Sequence, residues 1–454
     1  MLDNMRRALG VGRADYIEVR VQKSSATVVQ YTGNELENIG RLTRLGGSVR
    51  AMADKGWGFA SFNEVEDLPR FVRAACGQAR LVQGESGVLA PVEPVREHVV
   101  AGPEVDPRAV PLEQKKALCE RYNKLILAAP RIQTTNVVYR DYTTVEHLVT
   151  SDGTELVQET CFAGLMVVAM AKDGTNVQRA YETFGDVRGY QVVEGRDQVC
   201  EDVARRATDL LAAEPPEAGP RTVIIDPKLS GLFVHEAFGH LSEADFIHEN
   251  ERLRKMMSIG RRFGPDALSI CDEPRMPGEA GYYAYDSEGT PGRKTYLIRD
   301  GVLASRLHSR ETAAMMDEPV TGNARCINYS HAPIVRMSNT YMEPRDNSFD
   351  DLLDGVETGI YAVGSLGGET DMEMFTFSAE EGYEIRNGKL GRRLRDVVLS
   401  GNVFHTLADI DLIGSDFRVH GGLGGCGKGG QFPLRVSDGG PSVRIRNVLV
   451  GGQS

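Results

Sequence analysis

The stretch AAEPPEAGP, residues 212–220, limits what this chain can fold into more than any other feature. Two adjacent prolines, then a glycine and a third proline, break any helix or central strand that reaches them. The break predicts an N-terminal domain over 1–213 and a C-terminal domain over 221–454. Each part is long enough to bury a core of its own. A further subdivision of the first domain is expected near 100–112.

The two parts carry different patterns. TVVQY (27–31) is strand-like, and LGGSVRAMADKGWGFASF (45–62) reads as two strands around a glycine-bearing turn. EDLPRFVRAACGQARLV (66–82) and LEQKKALCERYNKLILAA (112–129) have helical periodicity, with Leu118, Tyr122 and Leu125 or Ile126 on one face of the latter. Alternation returns over 135–171, and a helix is expected at about 196–213. The second part opens with a strand, RTVIID, and a short helix that Asp226 caps and Pro227 starts. After about residue 280 it reads as mostly β. YLIRDGVLASRL and YEIRNGKLGRRL each place Asp-Gly or Asn-Gly between alternating segments, a two-residue hairpin signal. The chain holds 50 glycines, many in this half, which favours turns and close backbone approaches over a helical bundle. The fold class is therefore α+β: a mixed α/β N-terminal region, then a β-rich C-terminal domain.

Charge and apolar runs narrow the function. The formal net charge is −12 and no long basic run stands against it, so a nucleic-acid binder is not expected. The N-terminus lacks the apolar core of a secretory signal. The longest apolar run, AGLMVVAMA at 163–171, is too short to span a bilayer, so no membrane role is expected. Seven cysteines without C-x-x-C spacing argue for reduced thiols and a cytoplasmic location.

Chemistry concentrates at HEAFGH, residues 235–240. The helical zinc-peptidase signature spaces its histidines four apart, whereas His235 and His240 are five apart. On an ideal α-helix that is an offset of about 140°, too wide for one ion. A π-bulge would bring the two imidazoles into register. Alternatively the helix loosens at Gly239. In either case Glu236 would stand beside the metal, where a general base belongs. The bland alternative is two ordinary surface or core histidines, but the flanking faces are apolar, and a buried cluster of this kind needs a partner.

A second candidate is HGGLGGCGKGGQFP, 420–433. It contains G-x-x-x-x-G-K from Gly422 to Lys428, yet Gly429 stands where a phosphate loop needs Ser or Thr, and Pro433 follows in place of a helix. The other reading is glycine-lined backbone around one functional side chain, Cys426, whose thiolate suits zinc. A structural cysteine in a glycine-rich turn remains the alternative. Lys428 is either an oxyanion donor or a solvated surface lysine.

HEAFGHLSEAD, TPGRKTYLIRDGVL, TGNARCINYSHAPIVRMSNTYMEP, LRDVVLSGNVFHTLADIDLIGSDF and the ending GGCGKGGQFPLRVSDGGPSVRIRNVLVGG together resemble the TldD/PmbA family of microcin-processing metallopeptidases, in its metal-bearing TldD branch. The N-terminal half is similar more loosely, through GGSVRAMADKGWGFA. The resemblance implies a metal held by His235, His240 and Cys426, with Glu236 as general base. It implies zinc, with iron or another divalent metal as alternatives, and cleavage of unfolded peptides in the cytoplasm. It also implies a PmbA/TldE-like paralogue as heterodimer partner, with a homodimer as the alternative. The competing function is a non-hydrolytic peptide-binding subunit with a structural metal. A saturating fourth ligand would mark that case, and Asp245, His248, His405 and His420 are the residues to inspect.

Overall fold

Alternating residues over the first 190 positions build strands far longer than usual. In this computed structural model, which describes residues 1–82, 84, 87–371 and 373–451, β1 (Tyr16–Thr32), β2 (Glu35–Ala53), β5 (Ile132–Thr150) and β6 (Glu155–Asp173) each run for 17 to 19 residues. With β3 (Gly56–Phe62), β4 (Arg96–Val99) and β7 (Asn176–Asp186) they form one sheet. Its order is β3-β2-β1-β5-β6-β4, and β7 also pairs with β6. The expected hairpin at 45–62 is there: Asp54 and Lys55, both at positive φ, turn β2 into β3.

The helices expected at 66–82, 112–129 and 196–213 form over Leu68–Leu81, Leu112–Leu127 and Asp197–Leu210. Their apolar faces cover one side of the sheet. Cys119, Tyr122 and Ile126 pack with Val137, Leu165 and Ala204 in one core. Val72, Ala75 and Cys76 pack with Val19 and Val49 in another. The other side of the sheet is left to face the second half of the chain.

The proline-rich stretch is tethered rather than loose. Glu214 bridges to Leu394, and Arg395 donates to the Ala213 carbonyl. Strand Gly219–Ile225 then enters the middle of a nine-stranded sheet, parallel to Thr358–Val363 and antiparallel to Val443–Gly451. A six-stranded sheet lies beside it and includes Asn339–Met342 and Ser437–Gly440. Both sequence-marked hairpins form, with Asp300-Gly301 and Asn387-Gly388 at positive φ in their turns. The last three residues, 452–454, of the expected C-terminal span lie outside the described residues.

Helix Pro227–Val234 is caught between these two sheets. Asp226 caps it by accepting from the Leu229 amide at 2.9 Å. Phe233 meets Phe375 and Phe377 of the nine-stranded sheet edge-on. On the opposite side Gly231 faces Asp438 and Gly439 so closely that a Cβ there would sit 2.6 Å from the Gly439 nitrogen. The helix is thus seated rigidly, with HEAFGH at its end.

The halves are joined through buried charge. Arg50 of β2 pairs with Glu18 at 3.1 Å and with Glu288 at 2.6 Å. Removing one member of such a group leaves an uncompensated buried charge, at a cost of about 3–5 kcal/mol. No described helix is long and apolar enough to cross a membrane.

Candidate metal centre

The helix changes type where the histidines begin. Pro227–Val234 is α-helical, His235–Gly239 is a π-helix, and His240–Ser242 is a 3-10 turn. The His240 amide donates to the His235 carbonyl, five residues back, which is the hydrogen bond of a π-turn. The widened turn brings the side chains together: the imidazole centroids are 5.2 Å apart, with planes at 89°.

Gly239 does not loosen the helix; it keeps ordinary helical angles, φ −58° and ψ −53°. Its role is space, because a Cβ there would lie 2.1 Å from the Met337 sulfur. Met337 is fully buried, so the π-turn is pressed directly against the core.

Cys426 arrives from far along the chain. Strand Cys426–Lys428 pairs with Gln431–Leu434, and Gly429 and Gly430 turn the hairpin at φ +57° and +74°. This hairpin explains the phosphate-loop mimicry: the glycines serve a tight β-turn, with no helix N-terminus behind them. Arg336, wholly buried, donates to the carbonyls of Cys426 at 2.7 Å and Gln431 at 3.3 Å, pinning both strands.

His235, His240 and Cys426 thereby converge. One donor atom from each lies within 4.8 Å of the others. His240 Nε2 is 3.1 Å from Cys426 Sγ. The buried His235 Nδ1 has no hydrogen-bond partner among the described residues. Two imidazoles and a thiolate, with His235 and Cys426 buried, His240 half-buried and all three mutually within reach, suit a zinc ion in both donor type and number. Glu236 is one-quarter exposed, with Oε2 3.9 Å from His240 Nε2.

Electrostatics keep the trio charged when no ion separates it. Burial would raise the Cys426 pKa, but His235 and His240 outweigh it and bring it down to about 5. Burial would lower His235, but Cys426 and Glu236 hold it up at about 9. His240 is likewise opposed by burial and raised to about 11 by Glu243 and Cys426.

The sequence reading did not single out Glu243. It is fully buried and takes His240 Nδ1 at 2.9 Å, leaving Nε2 to face Cys426. Three residues after a histidine at a helix end is a spacing that brings side chains together, and that was the available signal. Lys428 also differs from both expectations. It is 5% exposed and held by Glu243 at 3.1 Å, Asp245 at 2.6 Å and the Val335 carbonyl at 2.9 Å. It is a buried counter-charge, neither solvated nor directed at an oxyanion.

None of the four inspected residues joins the trio. Asp245 is engaged with Lys428. His248 lies in helix Ala244–Glu249, His405 in helix Val403–Ala408 and His420 on strand Arg418–Gly421. Burial pushes His420 down to about 4.

Known proteins match along the chain. Sequence profiles of the PmbA/TldA metallopeptidase family match as domain 1 over 17–79, the central domain over 105–213 and the C-terminal domain over 218–452. A metalloprotease of Synechocystis is 47% identical, covering 97% of this chain and 96% of that protein. A zinc metalloprotease TldD homolog of Saccharolobus solfataricus is 29% identical over the full length of both. The crystal structure of TldE from Thermococcus kodakarensis superposes with a TM-score of 0.80, at 16% identity and 99% coverage of each chain.

Proposed function

The chain belongs to the PmbA/TldA metallopeptidase family, and on that premise we propose that it is a zinc-dependent peptidase acting on unfolded peptides in the cytoplasm. The observation that carries this reading is the convergence of His235, His240 and Cys426 with Glu236 beside it. Residues 1–213 and 221–454 act in it as two domains.

In the proposed reaction His235, His240 and Cys426 would hold the ion. A zinc ion held there would supply Lewis acidity for the attack of water on the scissile carbonyl. Glu236 accepts the proton of the attacking water and returns a proton to the leaving amine. Its partial exposure lets it exchange that proton with substrate and solvent. Glu243 fixes the His240 ring by taking Nδ1–H, which leaves Nε2 as the ligand atom.

A cluster of three donors, with no fourth among the described residues, favours this over a structural metal, whose sites are saturated. Strand Gly367–Asp371 supports the preference for unfolded chains. It ends the nine-stranded sheet, paired on one side with Met374–Ser378, and packs against the π-turn. An edge strand there can add an extended peptide through backbone bonds, which a folded substrate cannot offer. A PmbA/TldE-like subunit, or a second copy of this chain, would complete the enclosure.

Metal content and peptide hydrolysis are to be measured on one preparation, before and after a chelator. Hydrolysis that disappears with the metal and returns with zinc is expected. Hydrolysis indifferent to metal removal would remove the reading.

A further inference from the structure

Between the uncovered face of the N-terminal sheet and the C-terminal half lies a cavity of about 830 Å³. None of His235, Glu236, His240 or Cys426 lines it, but both arms flanking the Cys426 hairpin do, through Gly422–Gly424 and Pro433–Arg435. Cys426 is the cross-strand partner of Leu434. Arg435 therefore starts within roughly 7 Å of the Cys426 backbone, about two residues of extended chain.

We propose that this cavity is a substrate subsite in which the Arg435 guanidinium receives a peptide carboxylate. The proposal rests on the peptidase reading for the identity of the ligand, and on the cavity alone for its chemistry.

The Arg435 guanidinium lies over Tyr142 at 5.1 Å and Phe162 at 5.8 Å from their ring centres, and those two rings stack on each other. One carbonyl, Ala280 at 3.3 Å, accepts from it. No carboxylate among the described residues comes within 4.0 Å. Burial lowers its pKa to about 10 with no acid offsetting the effect, yet it stays charged at neutral pH. A half-buried guanidinium, over two aromatic rings and with no acid beside it, is poised for a carboxylate, whose two oxygens match its planar fork.

The rest of the lining points the same way. Arg41, Arg44, Arg140 and Arg325 also border the space. The bordering acids are engaged elsewhere. Asp141 is bonded to Lys115 at 2.5 Å, and Glu146 faces Arg20 at 3.7 Å. Asp286 accepts from the amides of Glu288, Thr290 and Ala324, and burial together with Glu288 pushes it up to about 8. A chain of net charge −12 repels anions at long range, so a cation-lined interior next to the Cys426 hairpin is a local reversal that selects them.

A peptide carboxylate has two sources, the chain terminus and an acidic side chain. The test uses the metal-loaded Glu236→Gln protein, which keeps peptides intact, and measures binding by fluorescence anisotropy. Three labelled short peptides are compared: one with a free C-terminus, the same peptide amidated, and the amidated peptide with one internal Gln replaced by Glu. At least one carboxylate-bearing peptide should bind about tenfold tighter than the neutral one. Preference for the free terminus assigns the subsite to the chain end, and preference for Glu assigns it to a side chain. Arg435→Gln should bring the ratio to near one, and Arg435→Lys, which keeps charge without the fork, should fall between.

Equal affinities for all three peptides overturn the proposal without any cavity variant. A preference that survives in Arg435→Gln overturns it as well. Hydrolysis by the Glu236-bearing protein without carboxylate discrimination retires the subsite alone. Discrimination without hydrolysis retires the peptidase reading and leaves the subsite standing.

Discussion

His240 and Glu243 are joined at 2.9 Å through Nδ1 and Oε2, and this bond turns the other ring nitrogen of His240 toward Cys426. Glu243 is itself tied to Lys428 at 3.1 Å, so the ring orientation is fixed by a buried chain of charges. Replacing Glu243 by Gln keeps the shape but weakens both contacts. Metal affinity is expected to fall about 10–100-fold, the usual effect of an outer partner. Competition with a chromophoric chelator measures it. Unaltered affinity would mean that His240 needs no partner to hold its tautomer.

Glu236 makes no comparable commitment. Its Oε2 stands 3.9 Å from His240 Nε2, and a quarter of its side chain is exposed. Glu236→Gln should therefore keep the metal and lose turnover by about 10²–10⁴-fold, because an amide cannot accept the proton of water. Metal analysis and peptide kinetics on one sample separate the two effects. Normal turnover in this variant would take Glu236 out of the reaction.

Metal uptake should depend steeply on pH. Without an ion, Cys426 is a thiolate above about pH 5, while His235 holds a proton to about pH 9 and His240 to about pH 11. Both imidazoles must lose that proton to bind metal. Affinity should consequently fall as pH falls from about 9 to about 6, by up to about 100-fold per unit for two protons. Cys426→Ser removes the thiolate that raises both histidines. It should bind metal far more weakly, and its affinity should vary less with pH over the same range. A flat wild-type profile, or full affinity in Cys426→Ser, would place the ligands elsewhere.

Much of this was legible in the residues. The Asp226-Pro227 start, the hairpins at Asp300-Gly301 and Asn387-Gly388 and the three N-terminal helices are local signals, and local geometry decided them. The five-residue histidine spacing offered a π-bulge or a helix loosened at Gly239 as ways to share one ion, and the π-turn at His235–Gly239 is the first of these. What stayed hidden depends on contacts distant in sequence. Lys428 looked solvated because its partners Glu243 and Asp245 lie more than 180 residues earlier. The 17- to 19-residue strands were seen only in fragments, and alternation gave no sign that their polar face is buried too, at Glu18, Arg20, Ser48 and Arg50. Arg435 had no motif at all: its surroundings come from β5 and β6 and from the loop at Ala280.

The packing of Gly239 leads to a last expectation. It sits in a helical conformation with no room for a Cβ, 2.1 Å from where the Met337 sulfur lies. Alanine ordinarily favours a helix over glycine by about 1 kcal/mol. Here overpacking should outweigh that preference, at about 1–3 kcal/mol, and push the π-turn off the core. Gly239→Ala should thus lower both the thermal midpoint and the metal affinity, since the turn sets the separation of the two imidazoles. Met337→Ala alone should destabilise by about 2–5 kcal/mol through the cavity it leaves. The two changes fill and empty the same space, so the double variant should be more stable than the sum of the single losses predicts, with part of the metal affinity restored. Strict additivity in stability, or Gly239→Ala with normal metal binding, would show that the π-turn does not depend on its contact with Met337.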